Sequence, residues 1–353
     1  MIPPVSPLWR EEGVCSVSAG FRYENDPALA AALDRNLALD VARVTEAAAL
    51  AAARHMGRGD ERAADLAATS AMREALTAVP MDGAITVGPA ADPDEGLFRL
   101  GEKAGNGQGP ALDVGVTPLE GGTICAMGAP NATACMALAP KGGLLAVPPV
   151  YMEKIAVGPG VPPGTVSLAA DPAENAKALA AARGVPVASL LVCVLDRPRN
   201  EGVIDRLREV GARITLISDG DVSGVIAVGL PETGVDMYIG SGGAAEGVLA
   251  AAGLRCLGGF MEGRLLVRSD AEKAAVRAAV GDPARILSLD DLVPGEAMFA
   301  ATGVTDGTLL RGVRLHADSA RSYTLVMRSR TRSIRLIDTR HDLRHDPRHD
   351  PAH

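Results

Sequence analysis

The segment 116–123 places an acidic side chain between a strand-forming run and a pair of glycines. The β-prone run 112–116 predicts a short strand, and the turn at Pro118 ends it. Glu120 comes next after that turn, and the two glycines behind it let the backbone fold closely around a ligand. The pattern predicts a carboxylate presented at the end of a sheet, where it can bind a metal ion beside a phosphate.

Acidic and basic side chains recur in other short segments that contain glycine or proline. Carboxylates that converge from several loops hold hard divalent cations, whereas arginines and backbone N–H groups hold phosphate and sugar hydroxyls. The candidates for such a site are Asp65, Gly121, Tyr151, Arg197, Arg199, Asp219, Asp221, Gly243 and Glu246.

Each of these segments also has a purely structural interpretation. The Asp-Gly-Asp sequence at 219–221 is typical of a turn or a helix N-cap. The glycine-rich segment 240–247 is typical of a tight strand–helix connection, or of a weak phosphate-binding loop. The arginine pair at 197 and 199 is also typical of a solvated surface, and Tyr151 of a core with its hydroxyl at the surface.

The elements that position these residues are predicted from periodicity, caps and breakers. Residues 1–25 contain three prolines and predict an irregular lead-in. Asp26 and Pro27 predict the start of a helix that ends before Gly57. A second helix is predicted over 62–79, and strands over 83–88, 112–116, 132–139 and 143–147.

From about residue 165 helices and strands alternate. Alternation of this kind predicts an α/β lobe with a substantially parallel sheet. Proline and glycine clusters near residue 160 suggest a boundary between a metal-site lobe, 26–160, and a recognition lobe, 161–338. Helices are predicted over 172–183, 201–210, 222–229 and 245–252, and strands over 190–195, 213–217 and 235–239.

The end of the chain repeats Arg-His-Asp every four residues. Histidines at that spacing can share a helical face and bind a metal, but Pro347 and Pro351 break the helix. The segment 339–353 is therefore predicted to be a solvated, disordered tail.

Bulk properties narrow the functional classes. A chain of 353 residues is long enough for two lobes, and its net charge of −8 argues against a general binder of nucleic acid backbones. No uncharged stretch is continuously apolar over the ~20 residues that cross a bilayer. Five scattered cysteines favour buried free thiols over disulfides or zinc ligands. We expect a soluble, cytoplasmic protein without membrane or nucleic acid partners.

Taken in order, the motifs resemble class II fructose-1,6-bisphosphatase of the GlpX type, in the lithium-sensitive sugar and inositol phosphatase superfamily. The resemblance extends from about residue 35 to about residue 340. It is carried by Asp65 and by the segments 57–60, 101–103, 117–121, 150–154, 157–160, 197–199, 219–221, 240–247 and 301–307.

The resemblance implies a layered αβαβα sugar-phosphatase fold with two α/β lobes, and a homo-oligomer, dimer or tetramer. It implies Mn²⁺ or Mg²⁺ as cofactor, a phosphorylated sugar as substrate and a place in gluconeogenesis. Asp65 and Glu120 match catalytic residues, and with Glu246 they match metal ligands. The matching substrate-binding positions are Glu120, Gly121, Tyr151, Arg197, Arg199, Asp219, Asp221 and Gly243.

The sequence departs from the family pattern in its catalytic half. Pro89 occupies the position of a metal-binding glutamate, and Thr117 that of a metal-binding aspartate. Gly122 replaces a threonine that orients the nucleophile, and Glu61 stands where lysine is common. Two lost carboxylates remove two negative charges and at least two oxygen ligands, which leaves a multi-metal cluster incomplete.

Three functions remain open. The first is hydrolysis of the 1-phosphate of fructose 1,6-bisphosphate or a related sugar bisphosphate, compromised by the substitutions or restored by Asp92, Asp94 or Glu95. The second is a degenerate homologue that binds a sugar phosphate or an active paralogue without turnover. The third is recruitment to other sugar-phosphate chemistry.

Overall fold

The computed structural model describes residues 37–89 and 98–345. Its helices and strands, in chain order, are α1 (Leu37–Ala53), α2 (Glu61–Leu76), β1 (Asp82–Val87), β2 (Lys103–Ala104), β3 (Ala111–Glu120), α3 (Gly122–Met127), β4 (Thr133–Pro140), β5 (Tyr151–Val157), α4 (Pro172–Arg183), β6 (Leu191–Leu195), α5 (Glu201–Glu209), β7 (Arg213–Ile217), α6 (Asp221–Ala227), β8 (Met237–Gly243), α7 (Ala244–Leu257), β9 (Phe260–Leu266), α8 (Asp270–Val280), β10 (Leu287–Ser288), α9 (Leu289–Leu292), β11 (Met298–Gly303), β12 (Arg314–Leu315), β13 (Ser319–Arg328) and β14 (Ser333–Asp342).

Two sheets organise these elements. The first has the order β12-β13-β11-β4-β3-β1-β2, with β14 paired to β13. Only β1 and β3 run parallel in it among the described strands, so their carboxyl ends meet at one edge. The second sheet has the order β10-β9-β5-β8-β6-β7.

Five layers result, as the αβαβα resemblance implies. Alternate residues of β4 face opposite ways: Met136 packs in the core with α1 and α2, whereas Ala137 packs in the core with α7. That second core, which holds α6 and α7, fills the space between the two sheets. Leu179 of α4 and Leu207 of α5 cover the outer face of the second sheet. The mixed α/β, layered fold class is confirmed.

Local signals placed several elements correctly. Asp171 accepts a hydrogen bond from Ala173 N at the start of α4, Pro172 occupies the first turn, and Gly184 ends the helix in a left-handed conformation. Helix α4 and strand β7 have the predicted bounds. Helix α1 is described from Leu37 onward, and the predicted start at Asp26 lies outside the described residues.

Two expectations about the strands are wrong. The segment 143–147 is not a strand, because Leu144 N–H donates to the Asp113 carboxylate and Leu145 N–H to Leu292 O instead of to a ladder. The second sheet is mixed, because only β6, β7 and β8 are parallel there. The strand order also bears on the predicted boundary near residue 160: β5 already belongs to the second sheet, and β11 to β14 return to the first.

The tail begins later than expected. Residues 339–342 end β14, which pairs with β13 along its whole length, and His341 Nε2 lies 2.8 Å from Ser322 Oγ. A short 3₁₀ turn follows at Leu343–His345. Cross-strand pairing therefore orders the first Arg-His-Asp triplet, whereas residues 346–353 lie outside the described part of the chain.

Two bulk expectations can be compared with the fold. None of the helices in the ranges 37–89 and 98–345 is long and apolar enough to cross a membrane. Cysteines 125, 135, 193 and 256 are buried free thiols, as expected. Cys15 lies outside these ranges.

Candidate active site

The candidate residues meet at one edge of the second sheet. Strands β6, β7 and β8 are parallel, so their carboxyl ends lie together, and antiparallel β5 begins there with Tyr151 opposite Gly243. The end of β3 approaches from the first sheet. The resulting cavity of about 350 Å³ is lined by Thr117, Leu119, Glu120, Gly121, Tyr151, Leu195, Arg197, Arg199, Asp219, Asp221, Gly242, Gly243 and Glu246.

A β-bulge directs Glu120 into this cavity. Thr117 pairs with Cys135 and Glu120 with Thr133, so three steps along β3 match two along β4. Glu120 is 5% exposed; its Oε1 accepts from Val222 N at 2.6 Å and its Oε2 from Thr133 Oγ1 at 3.2 Å. Burial, reinforced by neighbouring carboxylates, raises the pKa of Glu120 to about 8.

The aspartate pair divides into an inner and an outer group. Asp221 is 4% exposed, and its two oxygens accept hydrogen bonds from Lys154 Nζ and the Tyr238 hydroxyl. Asp219 lies nearer the surface, where the Arg197 guanidinium is 3.7 Å from it and Gly220 N donates to it. Burial raises the pKa of Asp219, although these two groups oppose the shift.

The basic side of the cavity is built on Tyr151. Arg199 stacks over the ring at 4.5 Å from its centroid, and Arg268 at 4.9 Å. Arg199 Nε also donates to Ser241 O, which fixes the guanidinium relative to β8. Cations held in this geometry suit the binding of a phosphate group.

Sequence reasoning did not assign roles to four residues that support the site. Lys154 and Tyr238 hold Asp221, and Arg268 stacks on Tyr151. The buried Asn200 bonds both the end of β6 at Leu195 O and the backbone of Ser241. A lysine inside an otherwise buried strand is the one signal that the sequence offered, because such a charge must be paired.

Asp65 stands apart from the cavity lining. Its carboxylate faces Gly122: a Cβ on that glycine would lie 3.0 Å from both Asp65 oxygens and 3.1 Å from Glu61 Cγ. Glu61 in turn accepts a hydrogen bond from Thr123 Oγ1 at 2.8 Å. The space that a threonine would need at position 122 is therefore occupied by acidic side chains.

The described residues do not fit a cluster of two or three metal ions. Pro89 lies two residues after the end of β1, and Thr117 lies in β3 two residues beyond the last pair of the parallel β1–β3 ladder, so both missing carboxylates belong to the same end of this strand pair. No three His, Cys, Asp or Glu side chains within 37–89 and 98–345 are arranged to hold a metal ion, and the predicted triad of Asp65, Glu120 and Glu246 is included in that statement. Asp92, Asp94 and Glu95 lie outside the described residues.

A substitution at Gly242 would test how tightly Asp221 and Lys154 are packed. A Cβ there would collide with the Asp221 carboxylate and lie 3.0 Å from Lys154 Nζ. We expect Gly242→Ala to lower the free energy of unfolding by about 2 kcal/mol, because a locked ion pair cannot yield. Gly202→Ala in α5 meets no atom within 4 Å and should leave stability within about 0.5 kcal/mol or raise it. Equal stabilities in urea would contradict the described packing.

Comparisons with known proteins agree with the motifs. The family described as bacterial fructose-1,6-bisphosphatase, glpX-encoded, matches residues 35–341. Fructose-1,6-bisphosphatase 1 class 2 of Escherichia coli K12 is 41% identical over 333 residues, which cover 90% of this chain and 99% of that protein. The class 2 fructose-1,6-bisphosphatases of Escherichia coli O6:H1 and Shigella flexneri match to the same extent. This chain belongs to the GlpX, or class II, fructose-1,6-bisphosphatase family.

Proposed function

We propose that this chain is a sugar-bisphosphate-binding protein of the class II fructose-1,6-bisphosphatase type whose hydrolytic step is impaired. The observation that supports it is the cavity in which the basic and the acidic family positions converge. Its basic side suits the phosphate that is retained, and its acidic side suits the sugar and the phosphate that is cleaved.

On the recognition side, Arg197 and Arg199 bind the distal phosphate, and Tyr151 packs against the same end of the ligand. Both arginines line the cavity, and Arg199 is fixed by its hydrogen bond to Ser241 O. Asp219 accepts hydrogen bonds from sugar hydroxyls. Asp221, Gly121 and Gly243 shape the floor around the sugar, and Gly243 offers its backbone.

On the catalytic side, the chain has fewer metal-binding carboxylates than the family pattern. Class II fructose-1,6-bisphosphatases are metal-dependent, and we propose Mn²⁺ or Mg²⁺ for any residual activity here. Glu120 faces the cavity with both oxygens already hydrogen-bonded, and Thr117 adds only a neutral hydroxyl. Pro89 and Thr117 supply no carboxylate at the positions of two family metal ligands, and this loss supports the proposal that activation of the attacking water is impaired.

The specific losses also favour a second candidate, a homologue that binds a sugar phosphate or an intact paralogue without turnover. Pro89 and Thr117 remove ligands while Arg197 and Arg199 remain in place. Assembly into a homo-oligomer and a cytoplasmic location stay predictions in both cases. Turnover, and not binding, separates the two candidates.

We expect fructose 1,6-bisphosphate to stabilise the protein against heat even where turnover is slow. At a ligand concentration of 100 times Kd the gain is about 2.7 kcal/mol. Arg199→Ala should remove most of it, because a charge-assisted phosphate contact is lost. Arg208→Ala, an exposed arginine on α5, is the matched control and should retain it. A wild-type protein that no sugar phosphate stabilises would overturn the proposal.

Turnover is measured as phosphate release from the same ligand with Mn²⁺ and then with Mg²⁺. Slow release that Glu120→Ala abolishes supports an impaired enzyme. Binding without any release supports the second candidate. Release at the same rate in the Glu120→Ala variant would point to a contaminating phosphatase.

A further inference from the structure

Lys154 is a lysine whose side chain is completely buried. It lies in β5, between β8 and β9, and its exposed fraction is 0%. An ammonium group at such a position is costly unless hydrogen bonds and an opposite charge compensate it. Its Nζ donates to the Asp221 carboxylate and, at 3.0 Å, to Gly243 O.

The first of these contacts leads to Glu120. Asp221 is the first residue of α6, and the next residue, Val222, donates its N–H to Glu120 Oε1 at 2.6 Å. Because Lys154 holds Asp221, it also holds the turn that presents this amide. The Tyr238 hydroxyl holds the other oxygen of Asp221, which removes the remaining freedom of that side chain.

The second contact leads to Glu246. Gly243 ends β8 and caps α7, which carries Glu246 in its first turn. Burial raises the pKa of Glu246, and the charge of Lys154 opposes that shift. The Lys154 ammonium group therefore contacts both sides of the acidic floor. It bonds the Asp221 carboxylate at the start of α6 and the Gly243 carbonyl at the end of β8.

The floor of the cavity brings four carboxyl groups together: Glu120, Asp219, Asp221 and Glu246. Burial and the neighbouring carboxylates raise the pKa of Glu120, so charge can collect here only where a proton or a cation offsets it. The described residues do not assemble a metal-binding group that would neutralise them. Lys154 is a fully buried cation that lies directly against this floor.

We propose that Lys154 is a positioning residue, an internal counter-ion that fixes the first turn of α6 and the Gly243 end of β8, and through them Glu120 and Glu246. The inference deepens the proposed function and rests on it for the statement about ligand affinity. An apolar side chain could fill the same space, but it would hold neither Asp221 nor Gly243 O.

The experiment compares Lys154→Met, Asp221→Asn and the double variant with wild type. Lys154→Met alone leaves a buried carboxylate unpaired and should lower Tm by roughly 5 °C, whereas the double variant should recover at least half of that loss. Lys177→Met removes an exposed lysine that pairs with Glu174 on α4, and serves as the control.

Two further measurements separate positioning from stability, at a temperature where every variant is folded. Hydrogen exchange of residues 220–224 should be at least about tenfold faster in Lys154→Met and in the double variant than in wild type. Fructose 1,6-bisphosphate should bind the double variant at least about tenfold more weakly than Asp221→Asn, because the double variant loses the bond from Lys154 to Gly243 O and the ammonium group that can still bond Asn at 221.

Unchanged exchange at 220–224 in both Lys154 variants would overturn the inference. So would equal affinities of the double variant and Asp221→Asn, because Lys154 would then contribute stability alone. If wild type binds no sugar phosphate but the exchange result holds, the proposed function fails while the positioning of α6 by Lys154 stands.

Discussion

Glu120→Gln should make the metal-free protein more stable at pH 8 while leaving it nearly unchanged at pH 5. Burial raises the pKa of Glu120 to about 8, so the folded protein holds a proton that the unfolded chain, with its ordinary value of 4.5, releases. Between those values the unfolded state binds fewer protons, and stability falls as the pH rises. The shift corresponds to a loss of about 3–5 kcal/mol across this window.

The glutamine variant is neutral throughout this range and can still accept from Val222 N and bond the Thr133 hydroxyl. We would measure the free energy of unfolding in urea with EDTA at pH 5, 6.5 and 8. Between pH 5 and pH 8 the free energy of unfolding of the wild-type protein should fall by a few kcal/mol relative to that of the variant. Glu174→Gln, which changes an exposed carboxylate of α4, should run parallel to wild type. Parallel curves for Glu120→Gln would refute the protonated state.

Restoring the missing ligands should produce metal-dependent phosphate release. Pro89→Glu and Thr117→Asp return two carboxylates to the edge where β1 and β3 end. Gly122→Thr returns the hydroxyl but needs Glu61→Lys beside it, because a side chain at 122 crowds Glu61 and Asp65. We expect the fourfold variant to release phosphate from fructose 1,6-bisphosphate at least about 100-fold faster than wild type.

The contribution of Glu61→Lys can be measured by leaving it out of the set. The same set without Glu61→Lys should gain less, because a threonine at 122 would meet the Asp65 oxygens at 3.0 Å with no cation to draw them apart. Adding Glu120→Ala to the fourfold variant is the control and should abolish the gain. A folded fourfold variant that binds the ligand but releases no phosphate would show that the damage extends beyond these positions.

Local elements near the site were predictable because their causes are local. The cap at Asp171 and the glycine stop at Gly184 act within one turn of α4, and apolar runs bounded by turns mark β6 and β7. The same reasoning failed at 143–147, where an apolar run is buried without joining a sheet. Periodicity reports burial, but it does not report which backbone groups will pair.

The path of the chain between sheets was not predictable from sequence order. The continuous segment β5 to β10 forms the second sheet, whereas the first sheet combines β1 to β4 with β11 to β14, which come after that segment in the chain. Pairing between distant strands depends on the whole core. The prolines and glycines near residue 160 lie in a loop that follows β5, the first strand of the second sheet along the chain.

The sequence by itself determined which chemistry is missing, because side-chain type does not depend on the fold: Pro89 and Thr117 carry no carboxylate wherever they lie. It also named nine of the residues that line the cavity, whereas Asp65 lies outside that lining. Only the tertiary structure decided how they are bonded. Asp221 turns both oxygens toward Tyr238 and Lys154, and Glu120 accepts an amide 102 residues away. Buried charges take whichever partners the packed interior brings within reach, and those partners are distant in sequence.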